Sequence, residues 1–217
     1  TFYLSAGQKI SETKPLKALN IFIQSPADCG AASGEYCAIW LGPEMPGEQT
    51  GDDAMSACFD TAPLAAPLDI TGAPVIQLRV SADAARAQLA VRLCDLRPDG
   101  SSARITYGVL NLCHSQGHVQ PVLIEPGRPF DVTLRLDDIA YSVPAGHRLR
   151  IAISSAYWPL IWPSPSTAEL EIYGGQLTLP VVAACSAPDH SFECPAAAAP
   201  WDRKVLRAPS NRRETQT

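Results

Sequence analysis

No apolar run in the sequence approaches the roughly 20 residues needed to span a bilayer, so no membrane partner is expected. Charge is scarce: 18% of the 217 residues are charged, with a formal net charge of -5. The basic residues are scattered, with nothing denser than pairs such as Arg212-Arg213 near the C-terminal end. A nucleic-acid surface needs Lys and Arg gathered on one face, so no nucleic-acid partner is expected either. The seven cysteines contain no CxxC pair and no zinc spacing. They read as buried thiols in a reducing compartment, which predicts a cytoplasmic protein. The alternative for two of them, Cys185 and Cys194, is a disulfide late in the chain. A Gly-x-Ser-x-Gly nucleophile elbow is also missing. Gly30-Ala31-Ala32-Ser33-Gly34 carries its serine one position late, and Gly100-Ser101-Ser102 falls in a hairpin turn. With no alternating strand-helix pattern to hold an elbow, no catalytic residue is assigned.

Metal ligands are equally thin. His114 and His118 are four apart, the spacing that puts two ligands on one helical face, but Ser115-Gln116-Gly117 breaks a helix there and only Cys113 stands beside them. Gly51-Asp52-Asp53 offers two carboxylates without further oxygen ligands, which helix capping or a buried hydrogen-bond network explains as well as calcium. No metal and no cofactor are expected. His147, at the start of a strand-like segment, reads as a local hydrogen-bonding residue, and His190 lies near the C-terminal end.

What the sequence does contain is proline, 20 residues of it, and short alternating segments. Ile76, Leu78 and Val80 fall on one face of Val75 to Val80. Leu89 to Leu93, Val132 to Leu136 and Leu149 to Ile153 repeat the period of two, and Phe2-Tyr3-Leu4, Asn20 to Gln24, Ile105 to Leu112, Leu170 to Ile172 and Leu177 to Leu179 add further strands. Pro98-Asp99-Gly100 and Pro144-Ala145-Gly146 read as turns. Many one-faced strands between Pro/Gly turns predict an all-β antiparallel sandwich over residues 1–182. One short helix is expected at Asp52 to Ala57, with aspartates favourably near its start. Residues 183–217, with Pro195 to Pro200 and no alternation, read as an irregular C-terminal tail packing on the sandwich, its end disordered. The first residue is Thr and a strand follows at once, so the chain reads as a piece of a longer one.

The run Ser154 to Pro165 is the most distinctive stretch. It places two of the four tryptophans and three prolines in twelve residues, between two strand-like segments. Something must cover those indoles: this domain's own core, a neighbouring surface, or a sugar ring stacked on a platform of Tyr157, Trp158 and Trp162.

The succession Asp52-Asp53-Ala54, Phe59 to Leu64, Gly72 to Val75 and Leu93 to Gly100, followed by Gly108 to Leu112, Pro144 to Arg150 and the Ser154 to Pro165 run, resembles the C-terminal domain of X-prolyl dipeptidyl-peptidase and cocaine-esterase-like α/β-hydrolases. The resemblance covers residues 1–182. It implies a jelly-roll β-sandwich similar to galactose-binding domains, following a catalytic α/β-hydrolase domain of the same parent chain that carries the Ser-His-Asp triad. It therefore implies a noncatalytic module that packs on a serine hydrolase of X-prolyl peptidase or acyl esterase type and helps to shape its substrate pocket. The alternative is a carbohydrate-binding or general interaction module. In the family an early loop approaches the active-site cleft; the matching stretch is Cys29 to Met45, with Tyr36, Cys37 and Trp40 as candidate pocket-rim residues. Tyr157, Trp158 and Trp162 are the candidates for structural or interdomain packing. Two departures remove positive charge: Glu48-Gln49-Thr50 and Ser115 stand where the family often has arginine, which questions its usual salt bridges. A face made to pack on a partner becomes an exposed apolar patch when that partner is absent, so self-association, or a tail folded over the patch, is expected.

Overall fold

The structure, a computed structural model, describes residues 1–34 and 45–182. The expected tail, 183–217, and the candidate rim residues Tyr36, Cys37 and Trp40 lie outside the described residues.

Alternation builds strands nearly everywhere. In chain order they are β1 (Phe2–Ser5), β2 (Lys9–Ser11), β3 (Ile21–Ile23), β4 (Ala57–Asp60), β5 (Leu68–Gly72) and β6 (Val75–Ala82), then β7 (Gln88–Leu96), β8 (Ser102–Asn111), β9 (Phe130–Arg135), β10 (Ile139–Val143), β11 (Arg148–Ser154) and β12 (Leu170–Thr178). The large sheet runs β8-β7-β11-β4-β2-β1-β12-β6-β9, with β3 paired to β12, and β5 with β10 forms a separate ribbon. Neighbours within each half are antiparallel. The two halves join where β2 meets β4 in parallel through one register pair, Lys9 with Asp60.

At that joint the sheet turns over, because the apolar faces of both halves must be removed from water together. Phe59, Leu93 and Ile151 from one half share a single core with Ile76, Leu134 and Ile172 from the other. The far edges nearly meet. The Asp137 amide donates to the Tyr107 carbonyl at 3.1 Å, and Thr106 Oγ1 donates to the Asp137 carbonyl at 2.9 Å. The result is the expected all-β sandwich, its sheet almost closed on itself.

Three local differences from the sequence reading have physical causes. Leu170 to Ile172 and Leu177 to Leu179, read as two strands, are joined in β12. The chain runs through Gly174-Gly175 with a register shift between Ile172 and Gly174. A Cβ at Gly175 would collide with the Leu78 side chain and the Gln77 carbonyl, so glycine here allows close packing on the core. The short helix, α1, spans Thr50–Asp53 and ends early, since Ala57 and Phe59 are drawn into the core as β4. Finally, β7 is buried on both faces, where alternation predicted one polar, solvated face.

Candidate interdomain face

The second buried face of β7 explains the rest of the site. Leu89, Val91 and Leu93 point into the sandwich core. Ala90, Arg92 and Cys94 point outward but are covered, all at 1% exposure or less. The cover is made by Pro26 to Gly34, the α1 segment and the Ser154 to Pro165 run.

A guanidinium taken out of water must be paired. Arg92 lies 3.0 Å from Asp53 Oδ1, donates to Gln49 Oε1 at 2.9 Å and Ser56 Oγ at 2.9 Å, and lies over the Tyr157 ring. Asp53 also accepts from Arg150 Nη1 at 3.0 Å. Arg150 grips Asp60 with Nε and Nη2, both at 2.7 Å, and these hydrogen bonds raise its pKa. Asp52 faces the other way. Its carboxylate accepts from the Gly30 and Ala32 amides at 3.0 and 3.1 Å. The Asp52-Asp53 pair is thus a two-sided bracket: one carboxylate holds arginines of the sheet, the other holds the loop above it. The pair thus forms a buried hydrogen-bond network; among the described residues no group of three or more His, Cys, Asp and Glu side chains is placed to hold a metal ion. Gln49 and Glu48 remain in use without a local arginine. Gln49 Nε2 donates to the Ala32 and Gly47 carbonyls at 2.8 Å, and Glu48 accepts from the Ser102 amide at 2.8 Å.

The bracketed loop in turn holds the aromatic run. The Trp158 amide donates to the Cys29 carbonyl at 2.8 Å. Ser25 and Ser155 exchange backbone-to-hydroxyl bonds at 2.9 and 3.2 Å. Gly30 sits at φ +110°, and a Cβ there would collide with the Trp158 backbone, so only glycine permits this approach. The Trp158-Pro159 bond is cis.

The three aromatics separate. Tyr157 is 1% exposed and its hydroxyl accepts from Arg104 Nη1 at 2.6 Å, which satisfies the polar tip; burial pushes its pKa up to about 12. Trp158 and Trp162 stand in solvent at 39% and 77% exposure, their rings edge-on at 5.4 Å and 77°. Gln88 Nε2 fixes the Trp162 carbonyl at 2.7 Å. With Tyr157 buried and the indoles nearly perpendicular, these rings form no flat platform for a sugar. They form a braced apolar ridge beside the start of the Cys29 to Met45 segment.

Sequence reasoning passed over Arg92, Arg104 and Arg150. The available signal was a lone arginine in the apolar stretch Leu89 to Leu93, together with paired aspartates elsewhere in the chain. His147 also reaches farther than expected: its Nδ1 lies 2.7 Å from buried Asp95 on β7, whose other oxygen accepts from Tyr141 of β10 at 2.9 Å. The Tyr141 bond ties the β5-β10 ribbon to the main sheet, and among the described residues no hydrogen bond joins a serine to the His147-Asp95 pair.

Cocaine esterase from Rhodococcus sp. (strain MB1 Bresler) is 26% identical over 66% of this chain, a stretch that makes up 25% of that protein. A solved α-amino acid ester hydrolase superposes with a TM-score of 0.72 at 21% identity, covering 83% of this chain and 36% of its own. An aminopeptidase from the marine sediment archaeon Thaumarchaeota archaeon gives a TM-score of 0.72 at 17% identity, covering 84% and 36%. The two structural likenesses establish the fold. This chain spans about a quarter to a third of each relative's length. Over residues 1–196 it matches the family described as the X-Pro dipeptidyl-peptidase C-terminal non-catalytic domain, and the chain belongs to that family.

Proposed function

We propose that this chain completes a serine hydrolase of the X-prolyl dipeptidyl-peptidase or acyl esterase type, by packing its Trp158-Trp162 ridge on an α/β-hydrolase catalytic domain of the same parent chain. The observation that carries this reading is the exposed ridge itself, apolar yet held in place by buried bonds, in a chain of a family described as non-catalytic. Monomeric domains seldom stiffen exposed tryptophans without something to cover them. The Cys29 to Met45 segment starts against the Trp158 backbone, which supports a role for Tyr36, Cys37 and Trp40 at the rim of the partner's substrate pocket. The same ridge supports self-association when the partner is absent. A galactose-binding-type jelly roll belongs to this reading too. So does a cytoplasmic location, supported by the free thiols of Cys29, Cys58, Cys94 and Cys113. No helix among the described residues is long and apolar enough to cross a membrane.

The test is to assay the purified chain on p-nitrophenyl esters and on X-prolyl p-nitroanilides. No turnover above buffer is expected. Turnover abolished by a serine-directed inhibitor would sink the proposal.

A further inference from the structure

A second site lies away from the ridge, where the chain leaves β8. Leu112–His114 form one 3-10 turn, capped by Asn111 Oδ1, which accepts from the Cys113 amide at 3.1 Å. The Gly117 amide then donates to the His114 carbonyl at 2.9 Å, and Gly117 adopts φ +131°, a left-handed conformation that reverses the chain. The Val122 amide closes the loop on the Cys113 carbonyl at 2.8 Å. Ser115-Gln116-Gly117 does break the helix, as the sequence suggests, but the reversal at Gly117 carries His118 back to His114. Their Nδ1 atoms stand 3.3 Å apart, with ring centres 5.3 Å apart and planes tilted by 38°.

We infer that His114 and His118 form a surface binding site for a divalent transition-metal ion. Two zinc–nitrogen bonds of about 2.0–2.1 Å meeting at a tetrahedral angle hold their nitrogens about 3.3–3.4 Å apart, the separation found here. Imidazole suits zinc, nickel and copper, whereas magnesium and calcium require oxygen ligands. His114 is half-buried and held by the turn, and His118 is exposed, so an ion reaches the pair from solvent. Cys113 does not contribute. The residue is 8% exposed and its thiol donates to the Ala85 carbonyl at 3.6 Å. With two protein ligands among the described residues, the remaining positions are filled by water. Such a site binds reversibly, with weaker affinity than a closed four-ligand structural site.

Isothermal titration of the whole chain with nickel chloride, and separately with zinc chloride, at neutral pH in a non-chelating buffer tests this. One ion per chain is expected. Outer-shell substitutions at metal sites cost about 10–100-fold in affinity, so loss of a ligand in His114→Ala or His118→Ala weakens binding by at least that factor. Equal binding by the His114→Ala/His118→Ala double variant, or no binding by the unaltered chain, overturns the inference. An independent readout avoids variants: the copper(II) electron paramagnetic resonance spectrum of the unaltered chain should show two coordinated nitrogens, and a spectrum without nitrogen coupling overturns it equally.

Discussion

The two faces of β7 are buried by different means. Inward, Leu89, Val91 and Leu93 lose water against aliphatic side chains of the opposite half-sheet. Outward, Arg92 loses water against loops, through an aspartate, an amide and a serine hydroxyl. Apolar burial is non-directional and tolerates repacking. The polar layer needs each partner at one distance and angle, so it fixes loop positions in a way that oil-like packing does not. The core holds the sandwich together, and the polar layer on top aims the Trp158-Trp162 ridge.

The sharpest way to break this contrast is to damage each face once. Asp53→Ala leaves Arg92 buried without its ion partner and should cost about 3–5 kcal/mol, the cost of stranding a buried charge. Leu93→Ala should cost about 2–5 kcal/mol through the cavity it opens. The two can match in a urea titration yet differ in tryptophan fluorescence. Asp53→Ala should shift the emission of the native state because the bracket under Trp158 loosens, while Leu93→Ala should not. Identical native spectra for both variants would remove the distinction. Next in size, Gly30→Ala should cost about 1–3 kcal/mol from its left-handed backbone alone, with the collision against Trp158 added. Its thermal midpoint should fall and Trp158 should move.

Alkali tests the same layer more gently. Burial pushes the Cys58 and Cys94 thiols from 9.0 up to about 12, and the Tyr157 phenol from 10.0 to about 12. The unfolded chain therefore loses these protons first. Stability from these groups is complete below about pH 9 and is lost as pH rises from there towards 12. The urea midpoint should fall across that window, and Cys94→Ala should flatten the fall. A slope unchanged by that substitution would mean the thiol is not the group responsible.

Much of the core was legible from the sequence, because one-faced strands such as β6 and β9 record their burial in a period of two. The outer layer was not. Arg92 finds Gln49 from 43 residues away, and spacing says nothing about which distant carboxylate will meet an arginine. Tyr157, Trp158 and Trp162 stand close together in the sequence, which does not rank them. The phenol is the one buried because Arg104 waits beneath it, a contact 53 residues apart in the chain. Leu170 to Ile172 and Leu177 to Leu179 read as separate strands for a related reason: spacing does not show that Gly175 lets one continuous strand press onto Leu78.

The smallest expected effect on stability comes at the ridge. Trp158→Ser with Trp162→Ser removes a mostly exposed edge-on pair and should shift unfolding by no more than about 1–2 kcal/mol. Its effect should lie elsewhere, in partner binding. The direct measurement is sedimentation or calorimetric binding of this chain to the separately produced catalytic domain of its own parent. A complex that weakens by at least about tenfold, roughly 1.4 kcal/mol, in the double variant is the predicted result. A complex of unchanged affinity would contradict the assignment of the ridge as the docking surface.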